Sequence, residues 1–289
     1  MADRFALADG PVYRLQRCRD CGMVYLNPRP TEAASGRFYQ HEAYLPFASL
    51  ARRPTALQKL YDGLRRCNLN WKRRLVARLK SGGALLDVGC GTGEFLACMR
   101  AAGWRVTGLE RDARAANWGR RQFELDIHVG SVADLPPGRF DLITLWHVLE
   151  HLYAPRAVLQ RLREYLADEG VLILAVPNLA SLDAAVYGAD WIALDTPRHV
   201  NHFTPATLTR LAHACGFAVR ELRQLPLDAF FNTLMSEQLQ RQTGRRRAAR
   251  LPLRLLRAGG VTAASLFAGS RISPFSCKGA TLVAILQTA

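Results

Sequence analysis

The sequence predicts a doubly wound α/β domain around a seven-stranded sheet, with one further segment before it and one inserted near its end. Two observations carry that prediction. From about residue 84, short apolar runs alternate with amphipathic stretches of helical length, the pattern of a parallel sheet with crossover helices. The first apolar run also ends in a glycine-rich turn, Gly89-Cys90-Gly91-Thr92-Gly93, where a strand hands over to a helix.

In chain order the strands are expected at 84–88, 105–110, 126–129, 141–146, 171–176, 217–225 and 280–286. Helices follow at about 93–102, 112–123 and 154–167, the last ending before the Asp168-Glu169-Gly170 turn. Thr204 and Pro205 read as the N-cap and first residue of another helix, and Gly216 as its C-terminal stop. Two pieces stand outside the alternation. Residues 1–80 hold a short Cys-containing segment and a helix over 55–80, with Leu57, Leu60, Tyr61, Leu64, Trp71, Leu75 and Leu79 near helical spacing. Residues 226–279 form a basic, helical insertion. The chain thus divides into an N-terminal part (1–80), a core (81–225), the insertion (226–279) and a last core strand (280–289).

Composition narrows the class. With 49% hydrophobic and 22% charged residues, the 289-residue chain is too apolar for wholesale disorder. No apolar run reaches the roughly 18 residues that span a bilayer, and the first ten residues lack signal-peptide order, so a cytoplasmic protein is expected. Seven scattered cysteines do not form a disulfide framework. The net charge of +15 sits mostly on the flanks: residues 51–80 carry ten basic groups against one acid, and residues 241–289 carry nine and no acid. Such flanks suit an anionic surface or substrate. Arg250 to Arg257 mixes leucines with arginines, so residues 241–270 read either as a peripheral contact with the inner face of the membrane or as a helical cap over the substrate pocket. No nucleic acid is expected, because no stacking aromatics interleave these basic residues.

The glycine turn is the first chemical signal. Glycines let the chain turn sharply and let a ligand approach bare backbone, while the helix N-terminus offers unpaired N–H groups. The spacing is G-x-G-x-G, unlike the G-x-G-x-x-G of dinucleotide folds. Glu110 closes the next strand 21 positions after Gly89, where it can accept from two ribose hydroxyls. Gly130-Ser131-Val132 follows the third strand and can wall an adenine.

Taken together, Leu85 to Gly93 resembles motif I of class I S-adenosylmethionine-dependent methyltransferases, with Glu110 and Ser131-Val132 at that family's ribose and adenine positions. The resemblance implies a Rossmann-like sheet whose last strand is antiparallel, and S-adenosyl-L-methionine as cofactor. Its binding residues would be Asp87, Gly89, Cys90, Gly91, Gly93, Glu110, Ser131, Val132 and Trp146. Cys90 reads as a small packed side chain with nothing to mark it as a nucleophile.

In open α/β sheets ligands sit beyond the C-terminal strand ends, so the segments after the fourth and fifth strands should meet the methyl acceptor. Four of the seven histidines, His147, His151, His199 and His202, fall in two such segments. Methyl transfer to a hydroxyl requires a proton to leave, and imidazole titrates near neutrality. His199 and His202 are the preferred base candidates, with His147 and His151 behind them. The plainer reading of His147 and His151 is that they fix the loop by hydrogen bonds. Arg198 is either an anion clamp or the partner of Asp195.

The phrases WHVLEHL, VPN, W-x-x-L-D-x-P-R-H-x-x-H-F and ACGF resemble a bacterial methyltransferase subfamily met in surface-polysaccharide and other glycan or secondary-metabolite pathways. That implies O-methylation, or less readily C-methylation, of a saccharide or glycolipid precursor. The LEH portion also resembles quinone-pathway O-methyltransferases, in which a carboxylate and a histidine after the fourth strand are linked to a divalent ion; Glu150 and His151 match that pair. Trp146-His147 stands where that type more often has an acid, so no metal is expected. The alternative acceptors are therefore a quinone-type or other small metabolite. From a different class, the chain reads as a non-catalytic cofactor-binding or scaffold module, which a rim filled by side chains would favour. Finally, Cys18-Arg19-Asp20-Cys21-Gly22 has zinc-knuckle spacing and resembles the second half of an N-terminal zinc ribbon, but no second pair of ligands lies upstream, so either a degenerate ribbon or a start site set too late is expected.

Overall fold

The computed structural model describes residues 12–39, 56–225, 228–242, 256, 259–264 and 277–289. Arg250, Arg254 and Arg257, with most of 243–276, lie outside them, so the membrane and cap readings of that stretch fall largely there.

Seven strands form the central sheet: β3 (Ala84–Val88), β4 (Arg105–Glu110), β5 (Ile127–Val129), β6 (Phe140–Trp146), β7 (Leu166–Pro177), β9 (Phe217–Gln224) and β10 (Thr281–Thr288). Their order is β5-β4-β3-β6-β7-β10-β9. The pairs among β3 to β7 are parallel, and β10 runs antiparallel to both β7 and β9. The order reverses beside β3, between β4 and β6, which is where doubly wound sheets open a crevice at their C-terminal strand ends.

Both faces of the sheet are covered, and alternate residues of one strand feed opposite cores. Leu172, Leu174 and Val176 of β7 join Leu86, Leu159 and Phe217 on one side, while Val171, Ile173 and Ala175 join Leu85, Leu96 and Met99 on the other. This is the reason these strands read as unbroken apolar runs. The second face carries α2 (Ala56–Leu79), α3 (Glu94–Ala101) and α4 (Ala113–Phe123); the first carries α5 (Pro155–Glu164) and α7 (Pro205–Ala214). Thr204 caps α7 as expected, exchanging hydrogen bonds with Thr207, and Gly216 follows the helix at φ +77°.

Two boundaries differ from expectation. The α5 helix stops at Glu164, and β7 begins at Leu166, so Asp168-Glu169-Gly170 sits inside a long strand. Glu169 takes φ +58° there, and the register against β6 shifts between Phe140 and Leu142. Phe140 still pairs with Leu166, so tertiary pairing overrides the local turn signal.

A second, three-stranded sheet stands beside the first. It joins β1 (Leu15–Arg17) and β2 (Val24–Leu26) to β8 (Asn201–His202) in the order β1-β2-β8. Between β1 and β2 the chain turns tightly over Cys18 to Met23, with Gly22 N–H donating to the Cys18 carbonyl. The short α1 (Glu32–Ser35) and α6 (Leu182–Tyr187) lie in connecting segments, and α8 (Asp228–Gln242) precedes β10. Among the described residues no helix is long and apolar enough to cross a membrane.

Candidate active site

At the C-terminal end of β3 the three glycines Gly89, Gly91 and Gly93 all take left-handed φ values of +71°, +57° and +80°. Side chains resist that region, so the turn requires glycine. A Cβ on Gly89 would stand 2.5 Å from Val148 Cγ2, which fixes the turn against the loop after β6. A Cβ on Gly91 would meet nothing within 4 Å. Open space above bare backbone at the start of α3 is therefore a built feature of the turn.

Around that space stand the other expected groups. Glu110 accepts from Gly91 N–H and Asp112 N–H, each at 2.8 Å. Burial raises its pKa, against the pull of those N–H donors. Asp87 is buried and accepts from Thr144 Oγ1 at 2.6 Å, and burial lifts its pKa to about 7. Cys90 is a buried side chain against Gly108 whose thiol burial pushes well above the ordinary range, as befits packing rather than chemistry. Ser131 is exposed and caps the turn over Val132–Asp134, while Val132 packs on the core. Trp146, half-buried at the end of β6, stacks edge-on with Phe95, and its indole Nε1 has no partner among the described residues. The open cradle, the acidic strand end and the unsatisfied indole N–H suit a nucleoside with an amino-acid tail, so these residues fit S-adenosylmethionine.

Two basic groups at this cradle had no local sequence signal. Lys72 of α2 lies with Nζ 4.3 Å from the Trp146 ring centroid, and Arg65 pairs with Glu94 at the start of α3. Burial lowers the Lys72 pKa, while Asp228 and Asp87 oppose that shift.

On the acceptor side the histidines separate into different roles. His147, at φ +59°, directs Nδ1 to Glu150 Oε1 (3.3 Å) and Nε2 to Asp228 Oδ2 (2.9 Å). Burial disfavours its charge, yet the two carboxylates outweigh burial and raise it to about 9. With both ring nitrogens directed at carboxylates, His147 is placed as the loop-fixing reading expects. His199 and His202 are buried, and burial depresses their pKa values to about 4 and about 3. They stand as neutral imidazoles behind His151, which is half-buried and packs 4.6 Å from His199 between ring centroids. Tyr39, which the sequence did not single out, brings its hydroxyl 3.0 Å from His151 Nδ1. Arg198 is Asp195's partner: its Nε and one terminal nitrogen reach Asp195 Oδ1 at 2.9 and 2.7 Å, and another donates to the Phe38 carbonyl. It is therefore no free anion clamp.

Cys18 keeps a lowered pKa through the backbone N–H groups of Cys21 and Asp20. Among the described residues no third His, Cys, Asp or Glu joins these two cysteines at ligand distance. An apolar cavity of about 450 Å³ lined by Leu15, Leu179, Trp191 and Leu194 shares no residue with the glycine turn or the histidines and is not part of the site.

Comparison with known proteins agrees with this geometry. A family model described as a methyltransferase domain matches residues 61–222. The ubiquinone biosynthesis O-methyltransferase of Xanthomonas campestris pv. campestris (strain B100) is 32% identical over 191 residues, covering 62% of this chain and 78% of the relative. The protein of the same name from Xanthomonas euvesicatoria pv. vesicatoria is 31% identical over 220 residues, covering 70% and 90%. Among solved structures, magnesium protoporphyrin IX methyltransferase from Synechocystis PCC 6803 with bound SAH matches with a TM-score of 0.53 at 16% identity, over 66% of this chain and 91% of that one. A Thermotoga maritima SAM-dependent methyltransferase matches with a TM-score of 0.52 at 17% identity, over 80% and 94%. The two structures speak to the fold alone. With the family model covering more than half of the chain, this protein belongs to the methyltransferase domain family and is a class I S-adenosylmethionine-dependent methyltransferase.

Proposed function

We propose that the enzyme transfers a methyl group to a hydroxyl oxygen of a small-molecule acceptor bound between the glycine turn and the Glu150-His151-His199 cluster. The observation that carries this reading is Val148: it touches the glycine turn on one side and sits between His147 and Glu150 on the other, so cofactor cradle and acceptor rim share one loop.

Within this reading Gly89, Gly91 and Gly93 present backbone to the cofactor, Glu110 accepts from its ribose hydroxyls, and Ser131, Val132 and Trp146 border the base and the reacting end. Lys72 and Arg65 supply positive charge beside the amino-acid tail. Bound S-adenosylmethionine supplies an electrophilic methyl on a sulfonium. The chain's own work is to align the acceptor oxygen in line with that methyl and to take up the proton it sheds. His151 is half-buried at the rim, where Tyr39 and the Arg198 carbonyl hold its Nδ1 and the His199 ring packs beside it.

The relatives' name favours a small-molecule O-methyltransferase over the saccharide or glycolipid acceptor that the PRHxxHF-type motifs suggest. The domain division follows the same reading, with 81–225 and 280–289 as catalytic core and the flanks as additions on the acceptor side. It is supported by β2 pairing with β8 and by Asp228 meeting His147. The test is methyl transfer from labelled S-adenosylmethionine to a panel of phenols and catechols set beside nucleotide sugars and glycolipids. Product from the phenolic set is the expected result; transfer confined to the sugars would restore the saccharide reading.

A further inference from the structure

We propose that Arg111 clamps a carboxylate on the methyl acceptor, so that the enzyme selects phenolic acids over their neutral counterparts. This specificity rests on the oxygen-methylation reading of the site. The sequence offers Arg198 as a candidate anion clamp, but Asp195 occupies that guanidinium. Arg111 follows Glu110 directly at the C-terminal end of β4, and its exposed guanidinium meets no carboxylate among the described residues. Its sequence neighbours do not neutralise it. Glu110 is engaged by the N–H groups of Gly91 and Asp112, and Asp112 pairs with Arg114 at 3.1 Å.

The segment 30–39 ties this guanidinium to the acceptor rim. Successive residues at a strand end point to opposite sides, so Glu110 turns to the glycine turn and Arg111 to α1, where both of its terminal nitrogens lie 3.3 Å from Ser35 Oγ. One helical turn later the Tyr39 hydroxyl stands 3.0 Å from His151 Nδ1, and between the two the Phe38 carbonyl accepts from Arg198. Residues four apart on a helical turn have Cβ atoms about 6 Å apart, so Arg111 and His151 bracket one short stretch of chain. Tyr153 closes the same wall: its hydroxyl donates to the Pro30 carbonyl at 2.9 Å, and Arg29 lies over its ring, 4.8 Å from the centroid. Burial raises the pKa of both tyrosines, with Asp195 adding to the rise at Tyr39, and Arg111 opposes it at each, so its charge reaches both hydroxyls.

The fork is held loosely. Contacts of 3.3 Å are long for N–H donors, and the one hydroxyl they share itself donates to the Glu32 carbonyl at 2.6 Å. A carboxylate accepts from both terminal nitrogens in one plane, at shorter distances and with roughly twice the strength of a neutral acceptor. Charge sets the class of anion. The charged groups that bear on Tyr153 are Arg29, Arg111 and Glu32, which leaves one positive charge over. That surplus complements a monoanionic carboxylate better than a phosphate dianion.

Two acceptors that differ in one charge test the clamp: 3,4-dihydroxybenzoate and 3,4-dihydroxybenzamide. Each is measured for binding to the full-length chain loaded with S-adenosylhomocysteine and for methyl transfer from S-adenosylmethionine. The benzoate should bind about tenfold to a hundredfold more tightly than the benzamide, and Arg111→Gln should remove that preference by raising Kd and KM for the benzoate. Arg111→Lys keeps the charge without the fork and should restore only part of it. Should Arg111→Gln also weaken the cofactor, the ratio of benzoate to benzamide still reads the clamp, because both acceptors meet the same loaded chain. Equal affinity for the two acceptors, binding of neither, or a preference that survives Arg111→Gln would overturn the clamp. Transfer to both with equal efficiency would likewise overturn it and keep the oxygen-methylation reading. Arg111-dependent binding of the benzoate without transfer to either acceptor would support the clamp and count against that reading instead.

Discussion

His147 Nε2 lies 2.9 Å from Asp228 Oδ2, which ties the loop after β6 to the first residue of α8. Asp228 also accepts from Asn68 of α2 and Thr281 of β10. One carboxylate thus joins four segments around the acceptor rim, and the opposite nitrogen of His147 orients Glu150. Both side chains keep some solvent contact, 34% and 18%, so the pair is weaker than a sealed ion pair. A double-mutant cycle with His147→Gln and Asp228→Asn should give a coupling of about 1 to 2 kcal/mol in urea unfolding. Strictly additive losses would show that the two residues act separately.

The glycine turn offers a sharper contrast. Gly89→Ala should lower the melting temperature, because its Cβ has to displace Val148 as well as hold φ +71°. Gly91→Ala carries only the left-handed strain, of the order of 1 kcal/mol, since no protein atom meets its Cβ. Yet that Cβ fills the space assigned to the cofactor. Calorimetry should therefore find Gly91→Ala nearly as stable as the wild type and much weaker toward S-adenosylmethionine. Unchanged affinity would place the cofactor elsewhere.

Glu110 gives a quantitative check on the same cradle. Removing a charged acceptor typically costs about 1.5 to 3 kcal/mol, or tenfold to a hundredfold in affinity. Glu110→Ala should lose that much by calorimetry. Because Glu110 also holds Gly91 N–H, Glu110→Gln should recover part of it.

Asp87 sets a pH dependence of stability. Burial raises its pKa from 3.8 to about 7, so between those values the folded chain holds a proton that the unfolded chain has released. Stability from this group is then full below about pH 4 and falls as pH rises through 7. Asp87→Asn cannot ionise and should lack this decline. Urea midpoints at pH 5 and pH 8 should show the wild type losing stability relative to Asp87→Asn; a parallel response would mean that Asp87 is ionised at both.

What the sequence disclosed follows from the range of the interactions. The β3 and β4 strands fall where the apolar runs place them, because a strand buried on both faces writes its limits into its own residues. The glycine turn is equally local. By contrast, the start of β7 depends on Phe140 pairing with Leu166, and no window around Asp168 contains that information. The site shows the same division. Gly89 to Gly93 and Glu110 were legible, whereas Tyr39 meeting His151, Asp228 meeting His147 and Lys72 stacking on Trp146 join residues far apart in the chain. Histidine spacing alone also could not tell a donor such as His147 from a buried neutral ring such as His202.

That distinction sets the last prediction. Of the four histidines, His147 is committed through both nitrogens, and His199 and His202 are buried with pKa values held low. His151 is partly exposed, and with Nδ1 engaged by the Arg198 carbonyl and Tyr39 its Nε2 is the nitrogen left to take a proton. Assistance to proton removal typically contributes about a hundredfold to ten-thousandfold. His151→Gln should lower kcat by that order with S-adenosylmethionine affinity unchanged, and the rate should recover as pH rises and the acceptor ionises unaided. Tyr39→Phe removes only the hydroxyl on Nδ1 and should cost less, in kcat rather than KM, because the Arg198 carbonyl still holds the ring. His202→Gln should fall between these or lower. If His151→Gln keeps its full rate at neutral pH while His202→Gln loses it, the proton passes to the inner ring instead.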